Sequence, residues 1–453
     1  MQYDIQIIGG GPGGYTAAFE AVKAGMKTCL IEERELGGTC LNRGCIPTKT
    51  LVHTADLYRD LQDADHVCIS AENTVLNKER LLAKKNEVVG QLREGIEKAL
   101  KAGKIDVICG RGIIASAHTV KVNDEVYEAE NIIISSGSVP SILNVEGKDL
   151  QGVVSSDEIL ETLPACNDMV IIGGGVIGCE MAGIYEAMGT HVTLIEALDR
   201  LLPNLESELG RSLALTFKKR GIDVHAKSFL KKITKEGDIL HVFYEEKGAL
   251  KETETEMVLM AAGRKALTDI FACEAPQLDK GRFVIDEHYQ TTLPHVYAIG
   301  DAAGTYPQLA HSAMAMAVNV ISFISGGIAK RDLTLIPSGV YTSPEIASAG
   351  LTEAEAKEKG FNPVNGKVNT LANARSLIAS KERGFIKVIA DKDSGKLLGC
   401  FMMCERATDL IQEPALAIAK GMKVSEILEV IHGHPTFAEA FVSALEACEK
   451  KLA

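Results

Sequence analysis

An α/β protein of about three domains is what this sequence predicts, two of them built on one repeated unit and the last of α+β type. Three observations carry that expectation. The chain has 453 residues, and a usual domain holds ~150. The run YDIQIIGGGPGGY at residues 3–15 returns as NDMVIIGGGVIGC at residues 167–179, displaced by 164 positions. From about Ile336, strand-like runs are followed by helical ones, with no further strand–helix alternation.

Composition bounds the partners. Net charge is −13, so no basic stripe is available to displace the counterions of a nucleic acid. No apolar run approaches the ~20 residues of a membrane-spanning helix. The N-terminus enters a strand-like run at once, with no basic region or small-residue cleavage site, and reads as cytoplasmic. The 11 cysteines are odd in number and scattered, a pattern of free thiols in a reducing compartment.

The repeat specifies its own chemistry. Each copy is an apolar strand, a glycine turn, an amphipathic helix and a second strand ending in an acid, Glu32 or Glu196. Gly9 and Gly173 permit the turn, and Gly14 and Gly178 let helix and strand pack closely. Gly11 and Gly175 leave the backbone open to a pyrophosphate, whose charge a helix N-terminus favours. Glu32 and Glu196 suit a ribose diol, so two dinucleotides are expected. Glu196 would repel a 2′-phosphate and the nearest arginine is Arg200, which favours NAD over NADP.

The remaining elements follow in order. NIIISSGSVP (131–140) and TLPHVYAIGD (292–301) read as buried strands stopped by small residues, the second ending at Asp301, where a turn cap and a cofactor ligand look alike. A methionine-rich helical run comes next, its methionines expected in the core. Beyond Ile336, YTSPEIASAGL (341–351) is strand-like and TEAEAKEKG (352–360) a short charged helix. A hairpin starts at Gly384, and helical patterns run to the end, interrupted by HGHPTFAE (432–439).

One stretch remains, GGTCLNRGCIPTK at residues 37–49. A cysteine pair five positions apart is compatible with a metal half-site, a staple, a chance pair or a redox centre. No second Cys/His pair at ligand spacing accompanies it, so no metal is expected. A short cysteine loop at a helix start would favour a thiolate.

Together the two fingerprints, the cysteine stretch, TLPHVYAIGD and HPTFAE (434–439) resemble the flavoprotein disulfide reductases over essentially the whole chain, in order. Within that family the likeness is to members that oxidise dihydrolipoamide carried on a separate protein. The resemblance implies two Rossmann-like domains, an FAD domain split by an inserted NAD domain, and a C-terminal α+β dimerisation domain. The expected bounds are 1–142 and 265–335 for FAD, 143–264 for NAD and 336–453 for the interface of a homodimer. It further implies that a Cys40–Cys45 disulfide oxidises dihydrolipoamide and passes electrons through FAD to NAD⁺. The substrate would be the E2 component of a 2-oxo-acid dehydrogenase complex or a glycine cleavage H protein.

Carried over by position, Cys40 would meet the substrate and Cys45 the flavin. Lys49 would lie near the flavin with Glu180 as its ion-pair partner, and His434 with Glu439 would be an acid–base pair serving the other subunit. Thr39, Gly137, Asp301 and the backbone at Ala310 would line FAD beside Gly9, Gly11, Gly14 and Glu32, while Gly263 joins the NAD set. His432 is the rival base, and the remaining nine cysteines read as buried thiols. Three departures from the family pattern stand out. Arg43 lies between the cysteines, Val176 replaces a larger residue, and no Pro-Asn follows Gly263-Arg264. Glutathione-type reductases would carry NADP-binding arginines, mercuric reductases a C-terminal cysteine pair, and soluble transhydrogenases no cysteine pair. A non-catalytic scaffold would have no need of Cys40, Cys45, His434 and Glu439 together.

Overall fold

Alternation of apolar strands and glycine-started helices builds two sheets in succession, the first parallel at its core with an antiparallel edge and the second parallel throughout. The computed structural model describes residues 2–379 and 384–452. Strand β1 (Tyr3–Ile8) leads through helix α1 (Pro12–Lys23) to β2 (Thr28–Glu32), and β1 pairs in parallel with β2 on one side and with the strand Glu125–Ile134 on the other. Ile5, Ile7 and Ile132 are fully buried, as expected of strands covered on both faces. The strand Val296–Ala298 then pairs in parallel with Ile132–Ile134, and the helix Ala310–Ile324 packs on α1. Residues far apart in sequence thus complete one seven-stranded sheet, and the domain built on the first copy of the repeat is split.

Inserted into it is the second copy. The strand Asp168–Ile172 lies between His191–Glu196 and Met257–Met260 in a five-stranded parallel sheet. A three-stranded meander over Ser228–Thr255 covers one of its faces, with Ile233, Leu240 and Val242 packed on Val170 and Val258. The chain leaves the host domain along Ser138–Pro140 and returns along Arg264–Ala266, and these two strands pair with each other. The missing Pro-Asn therefore leaves the return crossover a regular strand.

The C-terminal domain is a five-stranded antiparallel sheet covered by helices. Thr352 forms a capping box with Glu355 ahead of the helix Glu353–Glu358, and Phe385–Asp391 with Leu397–Cys404 forms the expected hairpin. The last helix, Glu439–Leu452, lies so close to the strand Pro363–Asn369 that a Cβ on Gly366 would stand 2.0 Å from the Ala444 carbonyl oxygen.

Two expectations need correction. Cys68 and Cys109 are exposed and Cys166 and Cys273 only half-buried, while Cys29, Cys179, Cys400, Cys404 and Cys448 are in the core. The two exposed thiols sit at the rim, Cys68 capping a short helix with positive φ and Cys109 ending an edge strand. Of the methionines in Ala310–Ile324, Met316 is core but Met314 is 38% exposed. Among the described residues, no helix is long and apolar enough to cross a membrane.

Gly366→Ala is expected to destabilise the protein by about 1–3 kcal/mol through overpacking. Gly95 lies in the helix Lys78–Ala102, and a Cβ added there would meet nothing within 4 Å. Gly95→Ala is therefore expected to add about 0.5–1 kcal/mol of stability. Thermal melting of both variants beside the parent checks the pair.

Candidate active site

The two glycine turns show which constraints belong to the chain and which to something it holds. Gly9 (φ +103°) and Gly173 (φ +112°) lie where a Cβ would meet Ser135 O at 2.2 Å and Ala261 O at 2.4 Å. A Cβ on Gly14 or Gly178 would stand 1.8 Å or 1.9 Å from the carbonyl oxygen of Gly9 or Gly173. Packing alone therefore requires these four. The middle glycines differ, since a Cβ on Gly11 has its nearest neighbour at 3.8 Å and one on Gly175 has none within 4 Å. The helices that follow have no side-chain cap and no acid in the first turn, so their N-terminal N–H groups are left for an anion. Both cradles fit the pyrophosphate of a dinucleotide such as FAD or NAD.

The acids repeat as closely as the glycines. Glu32 accepts from Gly10 N (2.6 Å) and Arg34 N (2.7 Å), and Glu196 from Gly174 N and Leu198 N (both 2.6 Å). Each carboxylate is thus fixed beside its turn and keeps further lone pairs for a ribose.

Where the host domain is re-entered, three residues expected beside a flavin, Thr39, Gly137 and Asp301, come together. Ser138 donates to Asp301 Oδ2 (2.5 Å) and accepts from Arg264 Nε (2.8 Å). Arg264 also reaches the Ser138 carbonyl (2.6 Å) and Thr39 Oγ1 (3.4 Å). Gly137, at φ +74°, precedes Ser138 with open space at its Cβ, and Gly263, at φ +107°, does the same before Arg264. Ala310 begins its helix after Leu309, which offers no side-chain cap. Val176, at 37% exposed, opens the helix on the second cradle.

The cysteines do not lie on a loop. Cys40 sits within a short helix, α2 (Gly38–Arg43), and Cys45 is the first residue of α3 (Cys45–Gln62), with Gly44 as the break between them. Asn42 Nδ2 ties α2 to the carbonyls of Leu36 and Gly38 (both 3.0 Å), and Arg43 pairs with Glu35. The Arg43 charge is therefore spent locally rather than offered to the sulfurs. Both cysteines are free thiols here. The hydrogen bond between them divides them, holding Cys45 down at about 7 with help from Lys49 against the effect of burial. The same bond, with burial, pushes Cys40 well up. A single thiolate is favoured, on Cys45, at the N-terminus of α3.

Lys49, one turn into α3, meets Glu180 of the inserted domain. Its ammonium reaches both carboxylate oxygens at 2.9 and 2.8 Å, and Glu180 is 4% exposed. Burial works against the charge on Lys49, but Glu180 outweighs it and Lys49 is raised. Tyr341 completes the node, its N–H donating to Glu180 Oε1 (3.0 Å) and its ring lying under the Lys49 ammonium at 4.5 Å.

At the other end of the chain His434 Nδ1 bonds Glu439 Oε1 (2.8 Å), and Thr436 N donates to Glu439 Oε2 (2.7 Å). Those contacts, the Thr436 N–H first, hold Glu439 below the usual carboxylate range. The His434 side chain is 73% exposed. His432 is committed elsewhere, with Nδ1 on Val430 O (2.9 Å) and Nε2 on Glu413 (2.8 Å), which leaves no free ring nitrogen. Asn373 Nδ2 fixes the loop at Thr436 O (2.9 Å), and Arg375 lies over Phe437. Among the described residues, no hydrogen bond or ion pair joins His434 or Glu439 to the cysteines within one chain. Tyr341, Asn373 and Ser138 carried no signal in the sequence, because each acts through a contact with a distant segment.

Residues 3–317 match the pyridine nucleotide-disulphide oxidoreductase family, and residues 336–445 match its dimerisation domain. The chain is 36% identical to a dihydrolipoyl dehydrogenase of Bacillus subtilis (strain 168), over 99% of this chain and 98% of that one. It is 35% identical to that of Thermus scotoductus (99% and 98% covered) and 34% to the mitochondrial one of Pisum sativum (99% and 92%). Among solved structures it is similar to the Cu(II) complex of the HOCl-induced flavoprotein disulfide reductase RclA from Escherichia coli. That likeness has TM-score 0.87 and 26% identity, over 98% of this chain and 99% of that one.

Since the Cys40 hydrogen bond is the main cause of the low Cys45 value, Cys40→Ala is expected to raise the Cys45 thiolate midpoint from about 7 toward its ordinary ~8.5. Thiolate absorbance at 240 nm against pH, in reduced protein, reads the shift; an unmoved midpoint would assign it to Lys49 or the helix instead.

Proposed function

The chain belongs to the pyridine nucleotide-disulphide oxidoreductase family, and within it we propose that it is a dihydrolipoyl dehydrogenase. The observation that carries the reading is geometric: two neighbouring cysteines, Cys45 opening the helix α3, with the Lys49–Glu180 ion pair one turn further on, an arrangement that favours a thiolate on Cys45. A histidine–glutamate pair on an exposed loop of the dimerisation domain supplies the base that such thiols need. FAD and NAD are its cofactors, the first beside Gly11, Glu32, Thr39, Gly137, Asp301 and Ala310, the second beside Gly175, Glu196 and Gly263. The division at 1–142, 143–264, 265–335 and 336–453 follows.

The cycle starts with Cys40 and Cys45 as a disulfide. In the homodimer the His434–Glu439 pair of one protomer serves the cysteines of the other. Glu439 keeps the proton of His434 on Nδ1, so Nε2 is the base that takes a proton from the substrate dithiol. The thiolate attacks the Cys40 sulfur, releasing Cys45 as thiolate and leaving a mixed disulfide. The second substrate thiol attacks its partner sulfur in that mixed disulfide, closing the lipoyl ring and freeing Cys40, which takes up a proton as its thiol. Lys49 and the helix N-terminus stabilise the negative charge on Cys45 through both steps. FAD, held beside Thr39, Gly137 and Asp301, would supply the two-electron carrier between the reduced cysteines and an NAD⁺ held beside Gly175 and Glu196.

The partner is a lipoylated protein, either an E2 component or a glycine cleavage H protein, and its dithiol reaches the exposed loop from outside. A reducing, cytoplasmic setting suits the 11 cysteines. Likeness to RclA favours a second reading, a reductase of another disulfide.

An anaerobic assay separates the two. Dihydrolipoamide with NAD⁺ is expected to turn over rapidly, and oxidised glutathione with NADH or NADPH is not. A flavin that neither lipoamide nor NAD(H) turns over would overturn the proposal. Cys45→Ser should abolish turnover, and His434→Gln should lower kcat by about 10²–10⁴-fold. Glu196→Ser should narrow the preference for NAD⁺ over NADP⁺, read as the ratio of the two kcat/KM values.

A further inference from the structure

The buried ion pair behind the cysteines has a third member whose contribution comes from another domain. Tyr341 directly follows the strand Ser338–Val340, at the start of the C-terminal domain, while Lys49 belongs to α3 and Glu180 to the inserted domain. Its backbone N–H occupies one oxygen of Glu180 at 3.0 Å. Its ring face lies 4.5 Å from the Lys49 ammonium. Two attractions of different origin therefore act on one cation, the carboxylate at 2.8 Å and the negative face of an aromatic ring.

We propose that Tyr341 is a positioning residue for Lys49, keeping its ammonium shared between Glu180 and the electrostatic reach of the Cys45 sulfur. This rests on the role given above to Cys45. The two charges of the pair act on Cys45 in opposite senses, Lys49 favouring the thiolate and Glu180 opposing it. Where the ammonium sits thus decides which prevails. Without the ring, the second attraction is lost, the ammonium is free to swing from beneath Tyr341 toward water, and the share of Glu180 in the field at Cys45 grows. The thiolate then becomes harder to form. The hydroxyl of Tyr341 has no part in this; the ring and the backbone N–H do.

The test uses the full-length reduced protein. Alkylation of Cys45 by iodoacetamide is followed against pH by mass spectrometry of its peptide, for the parent, Tyr341→Leu, Tyr341→Phe and Lys49→Met. Tyr341→Leu keeps the N–H and loses the ring, and is expected to raise the midpoint by about half a unit, a roughly threefold slower alkylation below it. Tyr341→Phe keeps the ring and is expected to follow the parent. Lys49→Met is expected to raise the midpoint further. If Lys49→Met moves the midpoint and Tyr341→Leu does not, the role of Tyr341 is overturned while the part of Lys49 stands. If Lys49→Met leaves it unmoved, the electrostatic account of Cys45 falls, and this inference with it. Should Tyr341→Leu fail to fold, Tyr341→Met removes the ring with less loss of length and carries the same expectations.

Discussion

A carboxylate with 4% exposure has to be answered by donors, and the rest of the site depends on how Glu180 is answered. Lys49 meets both of its oxygens and Tyr341 adds a backbone N–H. With 30% of the Lys49 side chain exposed, removing it costs less than the ~3–5 kcal/mol of a fully buried pair, but it still leaves Glu180 buried without its cation. The three groups belong to three domains, so that cost opposes any separation of them. Lys49 lies one turn beyond Cys45, and the same contact therefore fixes α3 and with it the thiol at its N-terminus.

The remaining charges are handled close to home. Glu32 and Glu196 close their own turns, Arg43 is answered by Glu35, and His432 by Glu413. That leaves His434 with one nitrogen bound and an exposed side chain, and Cys45 with a thiolate favoured by its surroundings. Reactivity is concentrated by pairing the neighbouring charges with one another and leaving His434 Nε2 and the Cys45 sulfur unpaired by any of them. Similar chemistry in the two nucleotide cradles follows from the same device, a backbone turn that its own glycines and acid hold rigid before any ligand arrives.

What could be read from the sequence was local. The glycine turns were legible because their demands, a positive φ at Gly9 and a carbonyl where Gly14 would carry a Cβ, act within a few residues and exclude other side chains. The spacing of His434 and Glu439 likewise puts both at one loop-to-helix junction, and the family resemblance supplied Cys40, Cys45 and Lys49 with Glu180. Three features escaped. The helix around Cys40 depends on Asn42 gathering carbonyls from Leu36 and Gly38, which no periodicity announces. Tyr341 and Asn373 look like ordinary strand and loop residues, and their parts are set by contacts with Glu180 and Thr436. The exposure of Cys68 and Cys109 is a matter of where a turn and a sheet edge fall, which composition does not encode.

The two strands that join the nucleotide domains have a consequence for the history of such a chain. Ser138–Pro140 and Arg264–Ala266 run antiparallel side by side, with Arg264 opposite Pro140. To the host domain, everything between them is a single excursion that begins and ends at one place. Stretching an unstructured hairpin loop to ~120 residues would cost only about 2–3 kcal/mol, since closure entropy grows with the logarithm of length. A segment that folds on itself and brings its own ends together costs less still. The host sheet therefore places no limit on the size of its guest, and a second copy of the first unit is an insertion that such a doorway admits without rewiring a strand.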